Sequence, residues 1–306
     1  VVEGTDAAGG SVLVVARLPG VGPAAGTYGR ESGDSGNRGV PSGASCEAGP
    51  TRLSALRKAC KTGELDGTGY AQLPVLPRAS GYSCGAYWHG QMYVFGGISE
   101  GTPPAKEPAA ITDAVRLDLD VGTWFQVPSL PVATQAAVCG AIDGRLIVAG
   151  GNGPETQVLD AATETWAAGA PMNTTRAWAG SAVFAGELWV AGGNHQSEYF
   201  DTVEKYDPVA DAWSVVGAFD GPRYFPAVVP LDGGLHIIGG DAWISDENIV
   251  YDDVLRFDAT DAERPFPVVA HLEGAQSSLR FITRRGKITA IHSEEILTVD
   301  PVTWAM

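Results

Sequence analysis

The 306 residues include 40 glycines and 20 prolines, suited to a fold of many turns, and carry a net charge of −16. Residues 1–70 hold seven basic and seven acidic side chains, whereas residues 71–306 hold 13 and 29, so the whole excess lies in the second stretch. Such a surface repels phosphate backbones and anionic membranes, so neither nucleic acid nor a membrane is expected as a partner, and no apolar run approaches the roughly 18–20 residues of a membrane span.

The chain opens on Val1 rather than Met, which reads as a processed chain or a fragment. SVLVVARL at 11–18 is apolar but short and contains Arg17. Residues 20–45 are rich in Gly, Ser and Pro and predict an irregular loop. In PTRLSALRKACKT (50–62), Leu53, Leu56 and Cys60 fall at helical spacing, which predicts a short helix. Residues 1–69 therefore read as an N-terminal extension. Cys46 and Cys60 flank the helical stretch and could close a loop in an oxidising compartment. Cys84 and Cys139 occupy matching places further on and read as two small buried residues on inner strands.

From about residue 70 one unit recurs. Each copy opens with an Ala/Val/Gly-rich strand such as QAAVCGAI, AGSAVFA or FPAVVPL. A turn with glycine follows: His89-Gly90, Asp143-Gly144, Ala185-Gly186, Asp232-Gly233 or Arg285-Gly286. An X-Gly pair between two apolar runs predicts a tight hairpin. The second strand ends in a double glycine at Gly96–Gly97, Gly150–Gly151, Gly192–Gly193 and Gly239–Gly240. After a variable loop, the third strand ends on an apolar residue and Asp118, Asp160, Asp207, Asp258 or Asp300, which are 42, 47, 51 and 42 residues apart. The fourth strand lies near Trp124, Trp166, Trp213 and Trp304, with Phe266 as the nearest substitute in the fourth unit. A period of this length marks a solenoid or propeller. Structural work accounts for the repeated residues: glycines for close backbone approach, Trp for packing one unit on the next, Asp for holding its turn.

Paired glycines, an aromatic-Asp step and a Trp about seven residues after the aromatic resemble the kelch repeat, most clearly in ELWVAGGNHQSEYFDTVEKYDPVADAW (187–213). The likeness covers roughly residues 78–306. The fifth copy has Ala290–Ile291 in place of its glycine pair, and only the third has Tyr at the aromatic position. The resemblance implies an all-β propeller, four-stranded blades around a channel. Five repeats are visible. Six blades are expected, with residues 11–18 and 70–77 contributing to a closing blade that removes an exposed edge. Residues 70–306 are then the propeller.

In such a fold the inter-blade links and second-to-third-strand loops share one face, and variable loops on a rigid scaffold are where function usually lives. The candidate binding residues there are Arg78, Arg176, Trp178, Asn194, His195, Tyr199, Arg223, Tyr224 and Trp243. Arginines beside aromatics have a composition suited to binding a protein or peptide partner. In similar kelch substrate adaptors, arginines before an inner strand bind acidic peptides, and MNTTRAWAG resembles that stretch. Each arginine also has a structural reading, pairing with a neighbouring blade's carboxylate. The alternative function is a kelch-like enzyme, of isomerase, mutarotase or lyase type, acting on a small polar molecule at the channel mouth. No metal or cofactor is expected: His89, His195, His236, His271 and His292 are scattered, and the acidic loop at 241–254 lacks calcium-loop spacing.

Overall fold

The computed structural model describes residues 74–272, apart from 79, 100–107, 245–246 and 261–264, together with strands at 2–5, 11–14, 280–284, 287–292 and 295–299. The expected helix, the Cys46 and Cys60 pair and the strand at Trp304 lie outside the described residues.

In chain order, β1 (Val2–Thr5) and β2 (Ser11–Val14) form an antiparallel ribbon. Four antiparallel four-stranded sheets follow. The first takes β3 (Cys84–Trp88) and β4 (Gln91–Phe95), extends a ribbon of β5 (Ile98–Ser99) and β6 (Ala109–Ala110), and finishes with β7 (Ala114–Asp118) and β8 (Thr123–Gln126). The second is β9 (Val138–Ile142), β10 (Arg145–Ala149), β11 (Thr156–Asp160) and β12 (Thr165–Gly169). The third has β13 (Gly180–Phe184), β14 (Glu187–Ala191), a ribbon of β15 (Asn194–His195) and β16 (Glu198–Tyr199), then β17 (Thr202–Asp207) and β18 (Ala212–Ala218). The fourth repeats that plan with β19 (Ala227–Leu231), β20 (Gly234–Ile238), the ribbon β21 (Asp241–Ile244) and β22 (Glu247–Val250), β23 (Asp253–Arg256) and β24 (Val268–His271). A three-stranded sheet, β25 (Arg280–Arg284), β26 (Lys287–His292) and β27 (Glu295–Val299), ends the described chain.

Four complete blades of an all-β propeller result, and no helix occurs among the described residues. The first strands β3, β9, β13, β19 and β25 are successive neighbours, with β1 beside β3 and β2 beside β25. Apolar clusters form between blades, as a propeller requires. Tyr93 and Phe95 of the first blade pack with Leu146, Val148 and Trp166 of the second. Ile147 and Ala149 of the second join Leu188, Val190 and Trp213 of the third, and Trp189 of the third meets Leu235, Ile237 and Phe266 of the fourth. A strand covered on both faces can be apolar throughout, and all five residues of β20 are buried.

The repeated residues hold this arrangement together. Each indole N–H reaches back along the ring: Trp124 to Pro74 O (2.9 Å), Trp166 to Pro128 O (2.8 Å) and Trp213 to Ala170 O (3.1 Å). Asp118, Asp160, Asp207 and Asp258 each accept a backbone N–H from two residues on, closing the turn into the fourth strand. The double glycine is one place where blades touch closely. Gly193 N–H donates to Arg223 O (2.9 Å) in the next blade, and a Cβ on Gly192 would lie 2.3 Å from that same oxygen. The hairpins at His89-Gly90, Asp143-Gly144, Ala185-Gly186 and Asp232-Gly233 have positive φ at both residues, the type I′ geometry that matches strand twist.

One expectation needs correcting. Cys84 and Cys139 are not separate buried thiols but a half-buried disulfide. Equivalent positions on the adjacent inner strands β3 and β9 bring their Cα atoms to 5.8 Å, inside the range a disulfide spans.

Candidate functional site

Links and second-to-third-strand loops meet on one face through short backbone bridges: Gly81 with Ile98, Ile111 with Thr134, Ala177 with Asn194, and Tyr224 with Asp241. These bridges gather Trp178, Asn194, His195, Tyr199, Tyr224 and Trp243. Asn194 pairs with Tyr199 across the β15–β16 ribbon. Trp243, carried by β21, is 56% exposed.

The arginines sit differently from that group. Arg176 is buried, and its guanidinium donates to Gly192 O (2.8 Å), Thr202 O (2.9 Å), Thr202 Oγ1 (2.9 Å) and Glu204 Oε1 (2.6 Å). Burial pulls its pKa down against the opposing pull of Glu204. Arg223 is equally buried. It donates to Asp253 Oδ1 (2.5 Å), Gly239 O (3.1 Å) and Asp220 O (2.9 Å), with Tyr251 stacked at 3.9 Å. Arg78 enters two residues earlier in its link. Ser80 stands where Arg176 and Arg223 stand, four residues before the inner strand. The half-exposed Arg78 guanidinium still reaches Asp113 (3.1 Å) and Ser99 (3.0 Å). Asp113 is the counterpart of Asp253, since each backbone carbonyl accepts the N–H of the first glycine of its blade's doublet. All three arginines therefore pin a loop to its own blade. Arg176 and Arg223 do so from inside the protein, so their side chains lie beneath this face rather than on it.

Aromatic rings form the surface itself. Tyr82 meets Trp178 edge to face (4.4 Å, 84°), Trp178 meets Phe225 (5.0 Å), Phe225 meets Tyr224 (4.7 Å), and Tyr224 meets Tyr199 (5.5 Å). The row runs over the first, third and fourth blades. The second blade contributes no ring, since Ala136 holds the equivalent position there. Burial, then the neighbouring Asp241 carboxylate, raises the Tyr224 pKa, so its hydroxyl stays a donor.

Tyr82, Ala136, Trp178 and Phe225 are equivalent positions, two residues before each inner strand. All four lie in the left-handed region, with φ of 56°, 52°, 58° and 54°. A backbone belt links them: Ala136 N–H donates to Tyr82 O (2.9 Å), Trp178 N–H to Ala136 O (3.1 Å) and Phe225 N–H to Trp178 O (2.8 Å). Positive φ is an outlier for so bulky a residue as Trp or Phe, and costs on the order of 1–3 kcal/mol at each position. Sequence reasoning missed Tyr82 and Phe225. The available signal was an aromatic two residues after each link arginine, Trp178 after Arg176 and Phe225 after Arg223.

The opposite face carries a cleft between the first two blades, walled by Trp88, His89, Tyr93, Asp143 and Asp160. The Trp88 and His89 rings stack there at 4.4 Å. None of the predicted residues lies in it.

Comparisons with known proteins follow the same lines. The Kelch motif family matches residues 176–218. Human Kelch-like protein 33 is 28% identical over 130 residues, covering 38% of this chain and 24% of that protein. Kelch-like protein 40 of Xenopus laevis is 28% identical over 131 residues, 41% of this chain and 21% of the relative. The mouse Influenza virus NS1A-binding protein homolog is 38% identical over 77 residues, 25% of this chain and 12% of the relative. These matches span at most about a quarter of the relatives' own length. The structure of YjhT superposes with a TM-score of 0.66 at 12% identity, covering 77% of this chain and 84% of that one. That likeness is one of fold.

Proposed function

Since the chain is a kelch-repeat protein, we propose that it is an interaction module binding a partner protein or peptide on the face formed by its inter-blade links and second-to-third-strand loops. The observation that carries this reading is the unbroken aromatic row from Tyr82 to Tyr199, with Trp243 standing exposed on the same face. Rigid aromatic anchors on a scaffolded surface are what partner hot spots are made of. The curated relatives are Kelch-like proteins, and one is named as a binding protein, which supports the same class.

In this reading residues 70–306 are the propeller and residues 1–69 lend it a closing blade. A six-bladed ring is favoured by the positions of β1 and β2, which bridge β3 and β25, and by the Trp124 bond to Pro74, the link that the second and third blades make to their predecessors. Asn194, His195 and Arg78 form the rim. A small-molecule enzyme built on a channel arginine and a carboxylate is disfavoured, because Arg176 and Arg223 are buried with their terminal guanidinium nitrogens bonded to their own blades.

The test is affinity capture with the full chain, a Tyr82→Gly/Trp243→Ala variant, and a Val209→Ser control in the turn after Asp207. Val209 is 87% exposed. A partner held by wild type and control but lost by the face variant is the expected result. A partner list unchanged by the face variant refutes the assignment of the face.

A further inference from the structure

Resting on that reading, we infer that the partner group seated at the mouth is a cation, an arginine or lysine side chain received in the corner between Tyr82 and Trp178. Two rings at 84° with centroids 4.4 Å apart form the two walls of an aromatic box, open to solvent on the Tyr82 side, where that ring is 58% exposed. A cation lying over such ring faces is attracted by the negative π surface, and the attraction grows as the partner excludes water. Ala136, between the two on the backbone belt, adds no third ring.

Charge points the same way. The arginines on this face are already neutralised: Arg78 by Asp113, Arg176 by Glu204, Arg223 by Asp253. Among the described residues of the surrounding loops and links, Arg78 is exposed but paired with Asp113, and Glu155, Glu198, Asp220 and Glu247 are exposed carboxylates. An acidic peptide, which the kelch resemblance implies, would find Arg78 at the rim already paired with Asp113, and to use Arg176 or Arg223 it would have to draw that arginine out of a buried pair and leave its carboxylate uncompensated. That exchange costs several kcal/mol. A basic segment meets the face as it stands.

Backbone strain supplies an independent reason to regard the corner as selected. The left-handed conformation at Tyr82 and Trp178 suits glycine best, so the rings are kept at the expense of stability. It also provides a clean variant. Tyr82→Gly removes one wall of the box while easing the backbone, so it keeps or raises the unfolding midpoint.

The probe is a random peptide library displayed on phage and selected on the immobilised full chain, with Tyr82→Gly in parallel. Expected are peptides enriched in Arg or Lys whose binding falls about tenfold on Tyr82→Gly, and about tenfold when their basic residue becomes Gln. Peptides that need Tyr82 but are acidic or uncharged overturn the cation and leave the face standing. Peptides indifferent to Tyr82, or no enrichment at all, overturn the box, and the second of these tells against the binding face itself.

Discussion

A methyl group at Gly192 tests the packing logic of the ring most directly. Gly192 holds φ +64°, and a Cβ there would sit 2.3 Å from Arg223 O, 3.2 Å from Pro226 Cγ and 3.4 Å from Arg223 C. Arg223 cannot simply retreat, because Asp253, Gly239 and Asp220 hold its guanidinium. Gly186 supplies the control: φ is +80°, and nothing lies within 4 Å of a Cβ placed there. Both alanine substitutions carry the left-handed penalty of about 1–2 kcal/mol. Only Gly192→Ala also forces the fourth blade outward and stretches the buried Gly193 N–H bond to Arg223 O, a further cost of about 1–3 kcal/mol. Expected losses are thus about 2–5 kcal/mol for Gly192→Ala against about 1–2 for Gly186→Ala. Urea unfolding of both variants, followed by tryptophan fluorescence, measures the difference as a shift in midpoint at constant slope. Equal losses would show that blades do not meet at the double glycine, and the reasoning would fail.

Two further predictions concern buried charge. Arg176→Met strands Glu204 and should destabilise the fold by about 3–5 kcal/mol, while Arg176→Met/Glu204→Gln should recover part of that loss; a single variant as stable as wild type in urea would contradict the burial of the pair. For His236, burial in β20 and then the Arg256 charge lower the pKa below its ordinary 6.5. The unfolded chain therefore takes up a proton that the folded chain refuses. Stability should be level above pH 6.5, fall as pH drops from there, and level off once the folded pKa is passed. Unfolding midpoints across that window should lose this slope in His236→Leu, and a slope unchanged by the substitution would refute the assignment.

The architecture was legible because its determinants are local and repeat. A glycine doublet, an Asp two residues before the N–H it accepts, and an indole that reaches the preceding blade each do one job per blade, so their period survives in the sequence. Where the chain lost a mark, the packing shows why it was dispensable: Phe266 replaces the fourth-unit Trp and still fills the cluster with Phe219 and Phe257. The disulfide was not legible. Matching positions in consecutive repeats looked like two copies of one buried site, and only the ring places those copies side by side on β3 and β9.

The candidate site was half legible, and the missing half follows from register. Arg78 looked like a third copy of Arg176 and Arg223, but two extra residues put Ser80 in the repeat position, leaving Arg78 to reach Asp113 from further back. Counting from the inner strand instead of from the arginine brings Tyr82, Trp178 and Phe225 into one column. Their shared positive φ belongs to the backbone belt rather than to any side chain preference, so no propensity could reveal it. Three bulky rings at positions that favour glycine fit the proposed use of this face. The arginines, which drew attention by their charge, turn out to spend that charge inward. On the proposed reading the face works through its rings and its carboxylates, and replacing Tyr82 by glycine should improve the scaffold while impairing its use.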